Sequence, residues 1–397
     1  MESRIASQTG QSQGPILPVR IVHLIDGLGR GGAEQLLTAY APELKRIGYD
    51  VQVVVFQEKE GNIQAERLRS AGIAVTFLRI DQLKRVDQLW RAVKGLRRMR
   101  PDLLHAHLQF SIITAGLARL LLGVPTMATL HTLEEPSGLD RSSRRLRLMN
   151  WVLAKLVDRV ICLSRASFEA ARRTGLPAVK LEVLANGIDL SPFDAPPLEG
   201  RAAVRAKHGI AQDAPLIITV AVLRPEKGID RLVAAMPMIC NACPGAHLLV
   251  VGNGPQFGSL QSQITALGLE EAVTLVGFRE DVPDLMRSAD IFVLPTLNDA
   301  LPTVVMEAMA AGLPVVASDV GGLSDMMVSG VEGALVPPDD VPALGAAVLS
   351  LLLNPAMRKK SGSAARSRAE REFALQGQVA RLSEIYKQLV SANRAGQ

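Results

Sequence analysis

The sequence predicts an α/β protein built from two doubly wound, Rossmann-like parallel-sheet domains that face one another. Three observations point there. Short β-branched runs alternate with helix-length amphipathic segments almost throughout, the pattern of an open parallel sheet with helices on both faces. Apolar residues make up 48% of the chain but aromatics only 4%, so the cores must be mostly aliphatic, as in sheets buried on both faces. One break, NGIDLSPFDAPPLEG at 186–200, is rich in Pro and Gly without apolar period and reads as an interdomain linker.

The first domain, 1–190, is expected to carry strands at 19–25, 51–56, 75–78, 103–106, 126–130, 159–163 and 181–184. The second, 191–375, resumes with strands at 216–221, 247–251, 273–276, 291–294 and 315–317. A final amphipathic segment, GQVARLSEIYKQLV at 377–390, reads as a helix. Ligands of such sheets bind beyond the carboxyl ends of the strands, so the loops after strands are the places to search.

Charge divides the chain unevenly. Residues 1–190 hold 27 Lys and Arg against 18 Asp and Glu, a net +9, whereas residues 191–397 carry −4. The two domains are therefore expected to meet different partners. Three cysteines argue against a disulfide framework, and the pair in CNAC, Cys240 and Cys243, reads as structural rather than redox-active or zinc-binding. The opening MESRIASQTGQSQGP lacks the apolar centre of a signal peptide. The most apolar windows, LARLLLGVP and LGAAVLSLLL, fall short of the ~20 residues that cross a bilayer. A soluble, cytoplasmic chain is the expectation.

The glycines of IDGLGRGGAE at 25–34 (Gly27, Gly29 and Gly32) fit G-x-G-x-x-G, the fingerprint of a dinucleotide-binding turn. That reading needs an acid at the end of the second strand to hold a ribose. Asp50 precedes that strand and Glu58 lies beyond it, while Glu34 places a carboxylate where a pyrophosphate would rest. A structural turn, an NAD-type site and a site for another phosphate or sugar ligand all remain open on this stretch alone.

The second domain says more. In VAVLRPEKGIDRLVAA, 220–235, Arg224 and Lys227 stand in the loop after a strand, where cations could meet a diphosphate. One charge-assisted contact there contributes roughly 1.5–3 kcal/mol. A solvated loop would look the same. In LLVVGNGP, 248–255, Gly252 and Gly254 would let a ligand approach the backbone, or simply make a tight turn. In LPTLNDALPTVVMEAMAAGLPVVASDVGG, 294–322, Asp299 lies before a helix and Glu307 about one turn inside it. Leu301, Thr303 and Val304 would offer amide N–H groups around the helix N-terminus, with Pro302 in the same turn, and such a terminus binds anions. The plainer alternative is a helix cap by Asp299 and a solvated Glu307.

Taken together these pieces resemble glycosyltransferase family 4, the retaining enzymes of GT-B architecture. The resemblance rests on GGAE at 31–34, DLLHAH at 102–107, TLH at 129–131 and VICLSRAS at 160–167. It continues through NGID at 186–189, RPEKGID at 224–230, VGNGP at 251–255, GFREDVPDLMRSADIFVLPT at 277–296 and the acidic pair, in family order over nearly the whole chain. It implies transfer of a sugar from a nucleoside diphosphate sugar, with retention and no required metal or other cofactor. The donor would sit mainly on the second domain, the acceptor on the first, and 376–397 would return to the first domain. Lys227 would neutralise the leaving diphosphate, Glu307 would hold the ribose, and Asp299 would accept hydrogen bonds from sugar hydroxyls. His131 would point at the transferred sugar, and Gly31 and Gly32 would let their loop close over the diphosphate. Two positions depart from the family pattern. Asp299 stands where glutamate is usual, one methylene shorter. Val222 stands where an arginine is frequent, and Arg224, two residues on and so on the same face of an extended segment, is the candidate substitute.

Other readings stay in view. A sugar-nucleotide epimerase, an NAD-dependent dehydrogenase using Gly27–Gly32 and a non-catalytic sugar-nucleotide binder would share much of this pattern. His105 and His107, two apart on a strand, could suggest a metal pair, but no third ligand is placed by the sequence. In RSSRRLRLMNWVLAKLVDR, 141–159, Trp151 falls among Arg144, Arg147 and Lys155, opposite a stripe of Leu146, Met149, Leu153 and Leu156. Such a face suits an anionic membrane surface carrying a lipid-linked acceptor, on the inner side of the cytoplasmic membrane, or is simply solvated. No recognised nucleic-acid motif accompanies the basic residues.

Overall fold

The computed structural model describes residues 18–29, 31–58, 63–80, 86–131, 144–196 and 200–395. Its first sheet comprises β1 (Arg20–Ile25), β2 (Asp50–Val55), β3 (Ala74–Phe77), β4 (Leu103–His107), β5 (Thr126–Leu130), β6 (Arg159–Cys162) and β7 (Leu181–Val183). Its second comprises β8 (Leu216–Val220), β9 (His247–Val251), β10 (Val273–Gly277), β11 (Ile291–Leu294), β12 (Val315–Ser318) and β13 (Gly333–Val336). The orders are β3-β2-β1-β4-β5-β6-β7 and β10-β9-β8-β11-β12-β13, and the pairings are parallel. In each sheet the winding reverses beside the first strand, between β1 and β4 and between β8 and β11. A crevice opens at such a switch point, outside the carboxyl ends of the strands.

The expected strands are all present, with ends shifted by a residue or two. β13 was not expected. Its sequence, GALV, has no β-branched run to announce it. Its place is set by a backbone approach instead: Gly333 has φ 151°, and a Cβ there would lie 1.8 Å from the Val315 carbonyl oxygen.

The aliphatic cores sit on the sheet faces. On one face of the first sheet, Ile21, Val53 and Leu103 pack with Leu37, Tyr40 and Leu44 of the helix Gly32–Arg46. Val379, Leu382, Ile385 and Tyr386 of the last helix, Leu375–Ala395, fill the same core. The chain thus crosses between the sheets twice, and the crossings are hydrogen-bonded to each other. Ile188 N–H donates to Phe373 O at 2.8 Å, and Leu375 N–H donates to Ile188 O at 2.9 Å.

The helix Arg144–Lys155 buries Met149, Val152 and Leu153 and half-buries Leu146, while Leu156 just beyond it is also half-buried, so the predicted apolar stripe faces the core. Trp151 and Leu148 are 51% and 47% exposed. The side chains of Arg144 and Arg145, and residues 141–143, lie outside the described residues. No single helix among the described residues is long and apolar enough to cross a membrane.

Candidate functional site

At the carboxyl end of the second sheet, three loops fuse into one floor. Leu223 N–H donates to Asn253 O at 3.0 Å, and Leu297 N–H donates to Glu226 O at 2.8 Å. The Thr296 hydroxyl donates to the same Glu226 carbonyl at 2.9 Å. Two glycines make this contact possible. Gly228 is left-handed at φ 65°, and a Cβ there would lie 2.1 Å from Pro295 O. Gly252 has φ 134°, and its Cβ would lie 1.8 Å from Ala221 O. Both are positions that only glycine fills without strain. The floor holds Lys227, whose Nζ donates to Asp299 Oδ2 at 2.5 Å. Arg224 is exposed, with Glu226 at 3.8 Å, and Val222 beside it is half exposed.

The helix Thr303–Ala310 starts from Pro302 with no side-chain cap, so Asp299 faces Lys227 and does not cap it. Thr303 and Val304 are half-buried at that terminus, Leu301 and Pro302 are buried, and the Pro302 carbonyl accepts from Val305 N–H at 3.1 Å. Proline has no N–H, so Pro302 shapes the turn and cannot donate to an anion. Glu307 is not a freely solvated side chain: burial pushes its carboxyl up to about 7.

At the first sheet, Gly31 precedes the helix Gly32–Arg46, and a Cβ on Gly31 would lie 2.3 Å from Glu34 Oε2. The Glu34 carboxylate therefore folds back over the turn where a dinucleotide's pyrophosphate would sit, and like charges repel there. At Gly32 a Cβ would meet nothing within 4 Å, so this side of the turn is open. Asp26, directly after β1, accepts from Phe110 N–H at 3.0 Å and Ser111 N–H at 2.8 Å, capping the helix Gln109–Leu122. Leu108 joins that helix to β4 at φ 71°, ψ 172°, a region almost reserved for glycine. The strained residue directly follows His107.

His131 follows β5 and its Nε2 lies 2.9 Å from His107 Nδ1; His107 Nε2 lies 3.1 Å from His23 Nδ1. His105, opposite His23 in the ladder, meets Tyr386 Oη and Thr129 Oγ1, each at 2.7 Å. Burial holds His131 at about 4, His23 at about 3, and His105 and His107 well below 6.5. These imidazoles are neutral at pH 7. Nitrogens of His23, His105 and His107 fall within 4.8 Å of one another, but both nitrogens of His105 and of His107 already have hydrogen-bond partners. A cation would have to displace those bonds. Cys240 and Cys243 are free thiols.

The two halves touch beside the acidic pair. Arg165 N–H donates to Asp325 Oδ2 at 2.5 Å. A Cβ on Gly322 would lie 2.8 Å from Ser164 Cβ and 3.0 Å from Leu301 Cδ1, so the 299–304 turn faces the β6 loop of the first half. Sequence reasoning missed Asp26, His23, Ser164 and Tyr386. Ser164 had a local signal, a serine three residues ahead of Ser167 at a helix start, where it accepts from Ser167 N–H at 3.1 Å. The others depend on strand order.

Residues 30–192 match the family model described as Glycosyltransferase Family 4, and residues 200–368 match Glycosyl transferases group 1. The chain is similar to a glycogen synthase of Mycobacterium tuberculosis, 30% identical over 73% of this chain and 69% of that one. It is also similar to the 2-deoxystreptamine glucosyltransferase of Streptomyces kanamyceticus, 27% identical over 86% of this chain and 90% of that one. Among solved structures, Anabaena HepE in complex with UDP-glucose superposes with a TM-score of 0.82 at 25% identity, over 93% of this chain and 99% of that one.

Proposed function

Because this chain belongs to glycosyltransferase family 4 and has the GT-B architecture, it is a hexosyltransferase, and we propose that it takes its sugar from a nucleoside diphosphate sugar and transfers it with retention. The observation that carries this reading is the Lys227–Asp299 pair beside the uncapped helix start at 303. Cation, amide dipoles and acceptor carboxylate stand together where a diphosphate and its sugar would lie. The UDP-glucose in the HepE complex supports the choice of donor class.

In this reading residues 191–375 hold the donor, 1–190 the acceptor, and 376–397 return to the first domain. Lys227, with Arg224 at the rim and the Thr303 and Val304 amides, supplies positive charge to the diphosphate, and no metal is needed for that task. Gly252 admits the donor to the backbone, Leu301 and Pro302 shape the wall, and Glu307 accepts from the ribose hydroxyls. Asp299 and His131 address the sugar, and the Gly31–Gly32 turn closes over the phosphates. The acceptor oxygen forms its bond to the anomeric carbon on the face from which the diphosphate leaves. The carbon–oxygen bond to the phosphate breaks, and the hydroxyl proton passes to the departing phosphate oxygen. No carboxylate has to act as a covalent nucleophile.

A thermal-shift panel of nucleoside diphosphate sugars tests the donor. A true donor at 100 times its Kd stabilises the fold by about 2.7 kcal/mol. Lys227→Ala and Glu307→Ala should stay folded and lose that shift together with turnover. Full activity in both variants would sink the reading. For the acceptor, the exposed Trp151 and Leu148 of a basic helix support peripheral contact with an anionic membrane carrying a lipid-linked acceptor. Trp151→Ser with Leu148→Ser should reduce co-sedimentation with anionic vesicles, and unchanged sedimentation would remove that part.

A further inference from the structure

The two carbonyls that directly precede the Lys227–Asp299 pair converge on one buried side chain. Glu226 C=O belongs to the peptide that leads into Lys227, and Asn298 C=O to the peptide that leads into Asp299. The Thr296 hydroxyl, just beyond the end of β11, lies 2.9 Å from the first oxygen and 3.2 Å from the second. Thr296 is wholly buried. Its hydroxyl carries one proton, which faces both oxygens.

The two carbonyls do not depend on that proton equally. Glu226 O also accepts from Leu297 N–H at 2.8 Å, and Gly228 is packed against Pro295 O. The turn Pro225–Lys227 therefore stays fastened to the 295–297 segment without the hydroxyl. Asn298 O has no other hydrogen-bond donor among the described residues. The Asp299 carbonyl is held by Gly322 N–H, but at 3.3 Å. Asn298 is itself exposed, so a carbonyl released by Thr296 would turn to water and carry the peptide of Asp299 with it.

We propose that Thr296 is a positioning residue for the transfer reaction, its hydroxyl holding the 298–299 peptide so that Asp299 stays in register with Lys227. This assignment rests on the reading of Lys227 as the diphosphate's cation and Asp299 as the sugar's acceptor, and adds what aligns the two. Thr296 is buried and touches no substrate. Loss of its hydroxyl has two effects of opposite sign. A displaced Asp299 competes less for the ammonium, so a diphosphate binds more tightly. The same displacement takes the carboxylate out of line with the sugar, so transfer slows.

Thr296→Val keeps the shape and removes the hydroxyl. With the donor selected by the thermal-shift panel at saturation, kcat should fall about tenfold, a barrier change of about 1.4 kcal/mol. UDP and GDP, titrated separately as probes, should show the better binder gaining about threefold in affinity. Thr296→Ser should restore both values. Thr296→Cys, whose thiol donates only weakly, should move both in the same directions by less, and it serves if the valine variant does not fold. General damage to the loop would weaken binding and turnover together, so diphosphate binding that is unchanged or weaker overturns the proposal, as does an unchanged kcat. In an Asp299→Ala background, Thr296→Val should change kcat less than about twofold, because the side chain it acts through is gone. A larger effect there also overturns it. Failure of the underlying reading looks different: Lys227→Ala would keep full turnover, whatever Thr296→Val does.

Discussion

Lys227 Nζ and Asp299 Oδ2 lie 2.5 Å apart, joining two loops 72 residues distant in sequence, with 24% and 17% of their side chains exposed. The cation assigned to the diphosphate and the carboxylate assigned to the sugar are thus partners before any donor arrives. A diphosphate must share the ammonium with Asp299. Asp299→Asn removes that competitor while keeping the shape. A nucleoside diphosphate should then bind about tenfold tighter, near 1.4 kcal/mol, whereas sugar transfer should fall by about 10–100-fold. Isothermal titration with the diphosphate and a transfer assay read the two halves separately. Weaker diphosphate binding in Asp299→Asn would contradict the competition.

Glu307 supplies a pH signature. Burial lifts its carboxyl from 4.5 to about 7. Between those values the unfolded chain is ionised while the folded chain keeps its proton, so stability falls as pH rises through the window. Above pH 7 the whole cost, about 3 kcal/mol, is present. Ribose hydroxyls donate to the ionised form, so donor binding should expel a proton at pH 6. Affinity should rise up to about pH 7 and then level off. Glu307→Gln should flatten that profile and stabilise the protein at pH 8. Titrations in buffers of different ionisation enthalpy count the proton, and a count of zero at pH 6 would refute the ribose contact.

The alternation of β-branched runs and amphipathic segments made the two sheets legible, because each of those strands is locally consistent with burial on both faces. β13 was not legible, since the close approach of Gly333 to Val315, rather than propensity, fixes it. The second half of the site was readable for a similar reason: Arg224, Lys227, Gly252, Asp299 and Glu307 lie in or near loops that directly follow their strands. The histidine chain was not. His23 pairs with His105 only because β4 is wound beside β1, and Tyr386 arrives 281 residues after His105 from a helix that crosses back. No spacing encodes either neighbour.

The same histidines should make the protein acid-labile. His23, His105 and His107 are held neutral, at about 3 or well below 6.5, while in the unfolded chain they take up protons below about 6.5. Each therefore withdraws about 1.4 kcal/mol of stability per pH unit below that point. His131, held at about 4, adds a fourth such loss. Glu307 works the other way between pH 7 and 4.5, cancelling one of the four. The net of about 4 kcal/mol per unit is large against the 5–15 kcal/mol of a typical domain. Denaturant midpoints should drop steeply from pH 6.5 to 5.5. Equal midpoints at those pH values would show that these imidazoles are not protected from protons.

Gly252 ties stability to donor binding. Its φ of 134° suits glycine, and a Cβ would lie 1.8 Å from the Ala221 carbonyl oxygen, a backbone atom at the end of β8 that cannot swing aside. Gly252→Ala must push the β9 loop away from the segment leading to Lys227. Strain of this kind costs about 3 kcal/mol or more, which lowers Tm by about 6–12 °C in a domain of this size. Donor affinity should fall with it, because the displaced segment carries the cation. Gly258→Ala is the control. That glycine lies in the helix Phe257–Ala266, where a Cβ meets nothing within 4 Å, and alanine there should gain up to about 1 kcal/mol. Two variants that differ by one methyl at sites six residues apart should therefore move Tm in opposite directions. A Gly252→Ala protein that melts no lower than Gly258→Ala would mean that the loops at the carboxyl end of the second sheet are not locked together as described.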